Sequence, residues 1–241
     1  MKKLILIFAL AAMAKFGANA QIAFGIQAGA NLATAKSEYT SGGIKYSEKG
    51  KPKFGFIVGL VADIPFSSSI SFRPELNFIQ KGGKYSSSVT NSGITSASTE
   101  AVSLNFIELP LNFVYSLAAG PGRFCVGAGP DISFGLSGKD KYTSTVSGQG
   151  FPTQTSSGDV KVKFDGKKSA DVPPGDNDMH LKRVDFGANA FVGYKLNMGL
   201  FFNLGYTIGL SNLSPDPNTS LKTAGLTLKV GFLFGGKGDD K

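Results

Sequence analysis

Two sets of side chains in this sequence have types and spacings that could do chemistry. The first is eight charged residues, Asp63, Arg73, Glu75, Glu108, Asp131, Arg183, Asp185 and Lys229, all on one parity of alternating segments. A strand sends successive side chains to opposite faces, so the eight converge on the face opposite the apolar residues. Charges of both signs on a buried face are tolerated when paired and hydrogen-bonded, which predicts a plug of salt bridges. A proton or ion path, or two carboxylates working as acid and base, is the more active use of the same set. The second is His180, the single histidine, in Met179-His180-Leu181-Lys182-Arg183. With a serine and an acid it could hydrolyse lipid, but a triad is defined by geometry and no spacing here fixes one. It reads as a rim residue without a catalytic role. One histidine and one distant cysteine, Cys125, supply no zinc set. Asp171, Asp176 and Asp178 lack the spacing of a calcium-binding loop. Gly127-Ala128-Gly129 lies within a strand with no helix after it, so it is no nucleotide loop. No catalytic residue, metal or cofactor is expected, and Cys125 reads as a small inward hydrophobe.

The elements that position these residues are strands. In Leu221–Phe234, Ala224, Leu226, Leu228, Val230, Phe232 and Phe234 alternate with Thr223, Gly225, Thr227, Lys229 and Gly231. The same pattern predicts strands over Ile22–Leu32, Lys53–Ile64, Ser69–Lys81, Val102–Tyr115, Phe124–Leu136, Val184–Tyr194 and Leu200–Leu210. In Val102–Tyr115, Leu104 and Phe106 fall on the opposite parity to Ile107, Leu109, Leu111, Phe113 and Tyr115, which predicts a bulge or register change near Phe106. The connections alternate in length: 35–51 long, 65–68 short, 82–100 long, 116–122 short, 138–178 longest, 195–199 short and 211–220 moderate. Long loops at one end and short turns at the other mark an all-β, eight-stranded, antiparallel, up-and-down transmembrane β-barrel with its apolar face to lipid. A soluble lipocalin-like barrel would instead need an apolar interior where Arg73, Glu75, Glu108 and Lys229 fall.

Residues 1–20 read as a secretory leader. Lys2 and Lys3 precede the apolar run Leu4–Met13, and Ala18-Asn19-Ala20 supplies a small-residue cleavage site before Gln21. The barrel domain is then 21–241. Lys2, Lys3 and Lys15 leave with the leader, which holds no acid, so the formal charge falls from +8 to +5. That excess is spread out, without a basic block, which argues against nucleic-acid binding. No later segment has the roughly 20 apolar residues of a membrane helix, so a spanning chain must close as a barrel. Phe24, Phe72, Tyr115, Phe124, Tyr194, Phe202 and Phe232 gather near the end bearing the short turns. Phe54, Phe56, Phe78, Phe134 and Phe186 gather near the other, as two interfacial girdles. Both termini are then periplasmic. Outer-membrane lipids and lipopolysaccharide are the expected surroundings, with Lys45, Lys51, Lys84, Lys141 and Lys182 near the outer rim, where glycolipid phosphates lie. A monomer is expected.

Ser71-Phe72-Arg73-Pro74-Glu75-Leu76-Asn77-Phe78 and Leu104-Asn105-Phe106-Ile107-Glu108-Leu109-Pro110-Leu111 resemble the strand pair of the Bacteroidota outer-membrane β-barrel family that includes PorT-like proteins. The resemblance covers essentially the whole chain after the leader. It implies an eight-stranded barrel of the OmpX and OmpA membrane-domain architecture, and it does not imply one function. The expected role is non-enzymatic, with the extracellular loops, above all 138–178, making surface or adhesive contacts with a protein partner or supporting the envelope. An outer-leaflet lipid-modifying enzyme using His180, and an accessory barrel of a secretion system, are the alternatives. A pore is disfavoured, because an eight-stranded lumen is only wide enough for side chains.

Overall fold

The computed structural model describes residues 22–148 and 150–235; the leader read over 1–20 and its cleavage site lie outside them. The described chain forms eleven strands: β1 (Ala23–Ser41), β2 (Ile44–Lys49), β3 (Lys53–Pro65), β4 (Ile70–Asn91), β5 (Ile94–Ala119), β6 (Gly122–Gly148), β7 (Phe151–Lys163), β8 (Met179–His180), β9 (Val184–Leu196), β10 (Leu200–Gly209) and β11 (Thr219–Phe234). Eight of them close a ring of antiparallel pairs, in the order β1, β3, β4, β5, β6, β9, β10, β11 and back to β1. The closing pair runs from Phe24 opposite Phe234 to Tyr39 opposite Thr219. Closure leaves no open edge around the ring, as a lipid-embedded sheet requires.

The outward face is the apolar one. Phe24, Ile26, Phe54, Leu60, Phe113, Tyr115, Phe186, Leu204, Leu228 and Phe234 are all exposed. Inward positions through the middle of the lumen are mostly polar, charged or glycine, with a small buried apolar cluster of Val114, Cys125 and Phe191 among them. A lipocalin-like arrangement, with the apolar face inward, is therefore excluded by the direction of these side chains.

Three departures from the expected outline have a common cause. The stretches read as loops at 35–51, 82–100 and much of 138–178 are paired strand. β1 and β2 form a hairpin, turning at Gly42 and Gly43, both with positive φ. β4 and β5 stay paired up to Asn91 opposite Ile94, around a turn at Ser92 and Gly93 with positive φ at both, the geometry two-residue hairpins favour. β6 pairs with β5 as far as Gly148 and, on its other side, with β7 from Gly138 to Gly148. The ends of β4 to β7 thus make a four-stranded sheet that continues past the barrel. Both of its faces are solvated, so its Ser/Thr sequence has no apolar alternation to betray it.

The irregularity expected near Phe106 is real but placed differently. Asn105 pairs with Ser137 and Phe106 with Gly135, so the extra residue is Leu136 of β6. β5 keeps its parity, and Leu104 and Phe106 face inward, both fully buried.

Candidate functional site

The lumen is filled in layers, each built from side chains that only the ring brings together. At the end carrying the termini, Ala23, Val61, Phe201 and Leu233 form an apolar floor. Above it Arg73, 1% exposed, donates to Asp63 at 3.1 Å, and Lys195 reaches the same Asp63 oxygen at 3.3 Å. The Arg73 guanidinium sits between two rings, 5.8 Å from the centroid of Phe191 and 5.8 Å from that of Phe201. Both rings rest on glycine: a Cβ on Gly127 would collide with Phe191, and one on Gly231 with Phe201. The inward glycines therefore make room for rings, and the rings hold the cation.

The next layer is centred on Glu75. Lys229 approaches one carboxylate oxygen at 2.5 Å; Gln27 and Asn77 donate amide hydrogens to it at 2.7 and 3.0 Å. Nearer the mouth, the end bearing the hairpins, Lys81 lies 2.5 Å from Glu108 and 4.0 Å from Asp131. It also donates to the Ser133 hydroxyl, whose oxygen is 3.1 Å from Asp131. The Thr223 hydroxyl donates to Asp185. A void of about 10 Å³ among Asn31, Ile79, Lys81, Thr207 and Thr227 is at the lower limit for a single water.

The mouth is closed by apolar packing. Ile57, Ile79, Val102, Leu104 and Phe106 of the ring meet Val162, Phe164, Leu181 and Leu213, which come from the segments between ring strands. Phe106 and Phe164 pack edge to face at 5.3 Å, and Lys81 lies 5.4 Å from the Phe106 centroid. Phe164 covers Gly135, where a Cβ would strike its ring. A cap over residues 164–183 rests on this plug. His180 is buried in it, its Nδ1 2.8 Å from Asp165 and its Nε2 3.6 Å from Asp176. Lys163 pairs with Asp176 at 3.0 Å and Asp178 at 2.8 Å. Hydrogen bonds from His180 and Lys163 hold the Asp165 and Asp176 carboxyls, respectively, below their ordinary range. His180 lines an open cleft of about 480 Å³ with Ser169, Ser214 and Asp216. Ser169 binds Asp216, through its hydroxyl at 2.6 Å. Among the described residues, no serine hydroxyl bonds to His180.

Of the eight predicted lumen charges, Asp63, Arg73, Glu75, Glu108, Asp131, Asp185 and Lys229 are buried inside the ring. Arg183 is the exception. It is exposed just before β9, and its Nε donates to the Phe164 carbonyl, so it braces the cap. The parity of β9 does not extend back to it because the strand begins at Val184. His180 also differs from expectation, being buried within the cap. Lys81 and Lys195 complete the pairings and were missed as members of the network. Lys81 had the right parity on its strand; Lys195 lay beyond the predicted end of its own. Asp171 has no ion pair among the described residues, and Asp176 and Asp178 serve Lys163. Cys125 is buried beside Val114 and Phe191.

A closed ring with an apolar exterior and a charged, side-chain-filled lumen is the geometry of a barrel in lipid. The family model for an outer membrane protein beta-barrel domain matches residues 15–214. The chain belongs to that family. Solved structures show similarity too. Ail, the attachment invasion locus protein of Yersinia pestis, is 11% identical, with 86% of this chain and 99% of that chain covered and a TM-score of 0.29. Neisserial surface protein A is 15% identical, covering 87% and 96%, at 0.33. The outer membrane protease OmpT from Escherichia coli is 9% identical, covering 89% and 97%, at 0.37. No curated protein matches. As an outer-membrane barrel, the protein turns its belt of Phe, Leu, Val and Tyr to lipid and buries Arg73, Glu75, Glu108 and Lys229 within the ring.

Proposed function

We propose that this outer-membrane barrel is a sealed, non-enzymatic anchor that acts outside the cell through the sheet and cap at its mouth. The carrying observation is the sheet formed by the ends of β4 to β7. It continues the ring past the apolar belt, and β7 pairs beyond β6 only at Val162 and Lys163, with Met179 and His180. Residues 151–161 are thus an open strand edge among the described residues, a row of backbone donors and acceptors suited to an extended partner segment. In this orientation the termini are periplasmic and the cap and hairpins face outward. A catalytic role for His180 has less support, since its ring is buried in the cap and its Nδ1 is held by Asp165, with no serine hydroxyl bonded to it among the described residues.

Replacing residues 141–159 with a short turn, on cells that express the protein, tests the reading. The truncated chain should still reach the outer membrane, migrate faster unboiled than boiled as a closed barrel is expected to, and lose cell-to-cell or surface adhesion. Purified full-length protein in planar bilayers should give no sustained conductance. Adhesion unchanged by the truncation, or steady channels from the intact chain, would overturn the reading.

A further inference from the structure

Lysines stand directly opposite one another on the outward face above the apolar belt. Lys51 and Lys84 form an antiparallel bridge, with the Lys51 N–H donating to the Lys84 carbonyl at 2.7 Å and the reverse bond at 3.0 Å. On the same side, Lys36 of β1 is opposite Lys49 of β2 and Lys222 of β11. The row continues past Lys84, through Ala101 of β5, to Lys141 of β6. Gly50 is buried between Lys49 and Lys51, so both neighbours point away from the lumen.

Like charges directly opposite on adjacent strands repel, and mixed signs would solubilise the rim as well. Carboxylates answer this row only in part, with Glu38 beside Lys36 and Asp159 of β7 opposite Lys141. Lys36 pairs with Glu38 at 2.6 Å, while Lys49, Lys51, Lys84, Lys141 and Lys222 have no ion pair among the described residues. The row lies two to six residues beyond the last outward apolar side chains, Leu32, Phe54, Phe78, Leu136 and Ala224. With a strand rise of ~3.3 Å and the tilt of a barrel, that is roughly 5–15 Å above the belt, within reach of a bending lysine.

We propose that this lysine row binds the phosphate groups of the phosphorylated glycolipid of the outer leaflet, the acyl chains lying on the belt below, where Phe56 and Phe78 stack at 5.6 Å. The proposal rests on the reading that the mouth faces outward. Phosphate oxygens between opposed lysines relieve their repulsion, and the ammonium is a compact donor for such groups.

The test uses the full chain in detergent, titrated with a bisphosphorylated lipid A, its dephosphorylated form, or inorganic phosphate. Binding is followed by native mass spectrometry and by the temperature at which the fast unboiled gel band is lost. The bisphosphorylated lipid should bind and raise that temperature, and the other two should not. Replacing four lysines (K36Q, K51Q, K84Q and K222Q) should weaken binding about 1,000-fold, since each lysine near an anionic surface contributes about 1 kcal/mol and about 1.4 kcal/mol is tenfold. K167Q with K168Q, in the cap, should leave binding unchanged. Equal response to the dephosphorylated lipid or to free phosphate, or equal loss in the cap variant, would overturn the proposal. Orientation is read separately, by labelling S88C at the hairpin with a membrane-impermeant maleimide on intact cells. Labelling there supports the outward mouth; labelling only after the outer membrane is opened would overturn the orientation, whatever the detergent binding shows.

Discussion

The charged middle of the lumen and its apolar mouth seal the same barrel by opposite means. In the middle, almost every participant stands on a ring strand, so closing the ring is enough to bring Lys229 to Glu75 and Lys81 to Glu108. At the mouth, Phe164, Leu181 and Leu213 come from chain outside the ring and must fold back over Phe106 and Leu104. Buried ion pairs contribute little net stability but punish a wrong register, because slipping a strand by one residue would send its charges into lipid. Apolar packing tolerates slippage better and stabilises more per residue. The middle therefore enforces which strands pair and in what register, and the mouth stabilises the cap that the barrel presents.

The sharpest test of this contrast removes one charge from the middle. Glu75→Ala should cost about 3–5 kcal/mol, since it strands Lys229 beside the amides of Gln27 and Asn77. Glu75→Gln combined with Lys229→Met should recover most of that loss. Urea unfolding in lipid vesicles, read by gel mobility, measures both; a double variant as unstable as Glu75→Ala would mean that the layer stabilises outright. At the mouth, Phe106→Ala should cost about 3 kcal/mol and raise hydrogen exchange across residues 164–181. If exchange rose equally along β9 and β10, the plug and the ring would be one unit and the contrast would fail.

The smallest effect is on pH. Asp165 and Asp176 are held below the ordinary carboxylate value of 3.8 by His180 and Lys163, respectively. A depressed carboxylate contributes stability above its unfolded pKa, and that contribution fades as pH falls through the folded one. The cap should therefore be steady from pH 7 to 5 and loosen below about pH 4, while the barrel keeps its unboiled mobility. Amide exchange over 164–181, corrected for its intrinsic pH dependence, checks this; loosening already at pH 6 would point to another group.

Much of this architecture was legible in the chain because it rests on a local signal. Alternation in stretches such as Leu221–Phe234 is a property of neighbouring residues, so strand identity, the lipid-facing side and the inward charges followed directly. The hairpin extensions were not legible, since Ser86–Asn91 and Ile94–Thr99 meet water on both faces and carry no period. Arg183 was misplaced because parity was extended past the start of its strand.

The sequence by itself determined a barrel with an apolar exterior and which charges its interior would hold. Only the tertiary structure decided who pairs with whom, as in Lys229 with Glu75 across 154 positions, and that the loop before β9 folds in to plug the mouth. The reason is physical. Side-chain direction along a strand is fixed by the pleat, residue by residue, whereas ion pairs and plugs depend on ring closure and register, which no single strand contains.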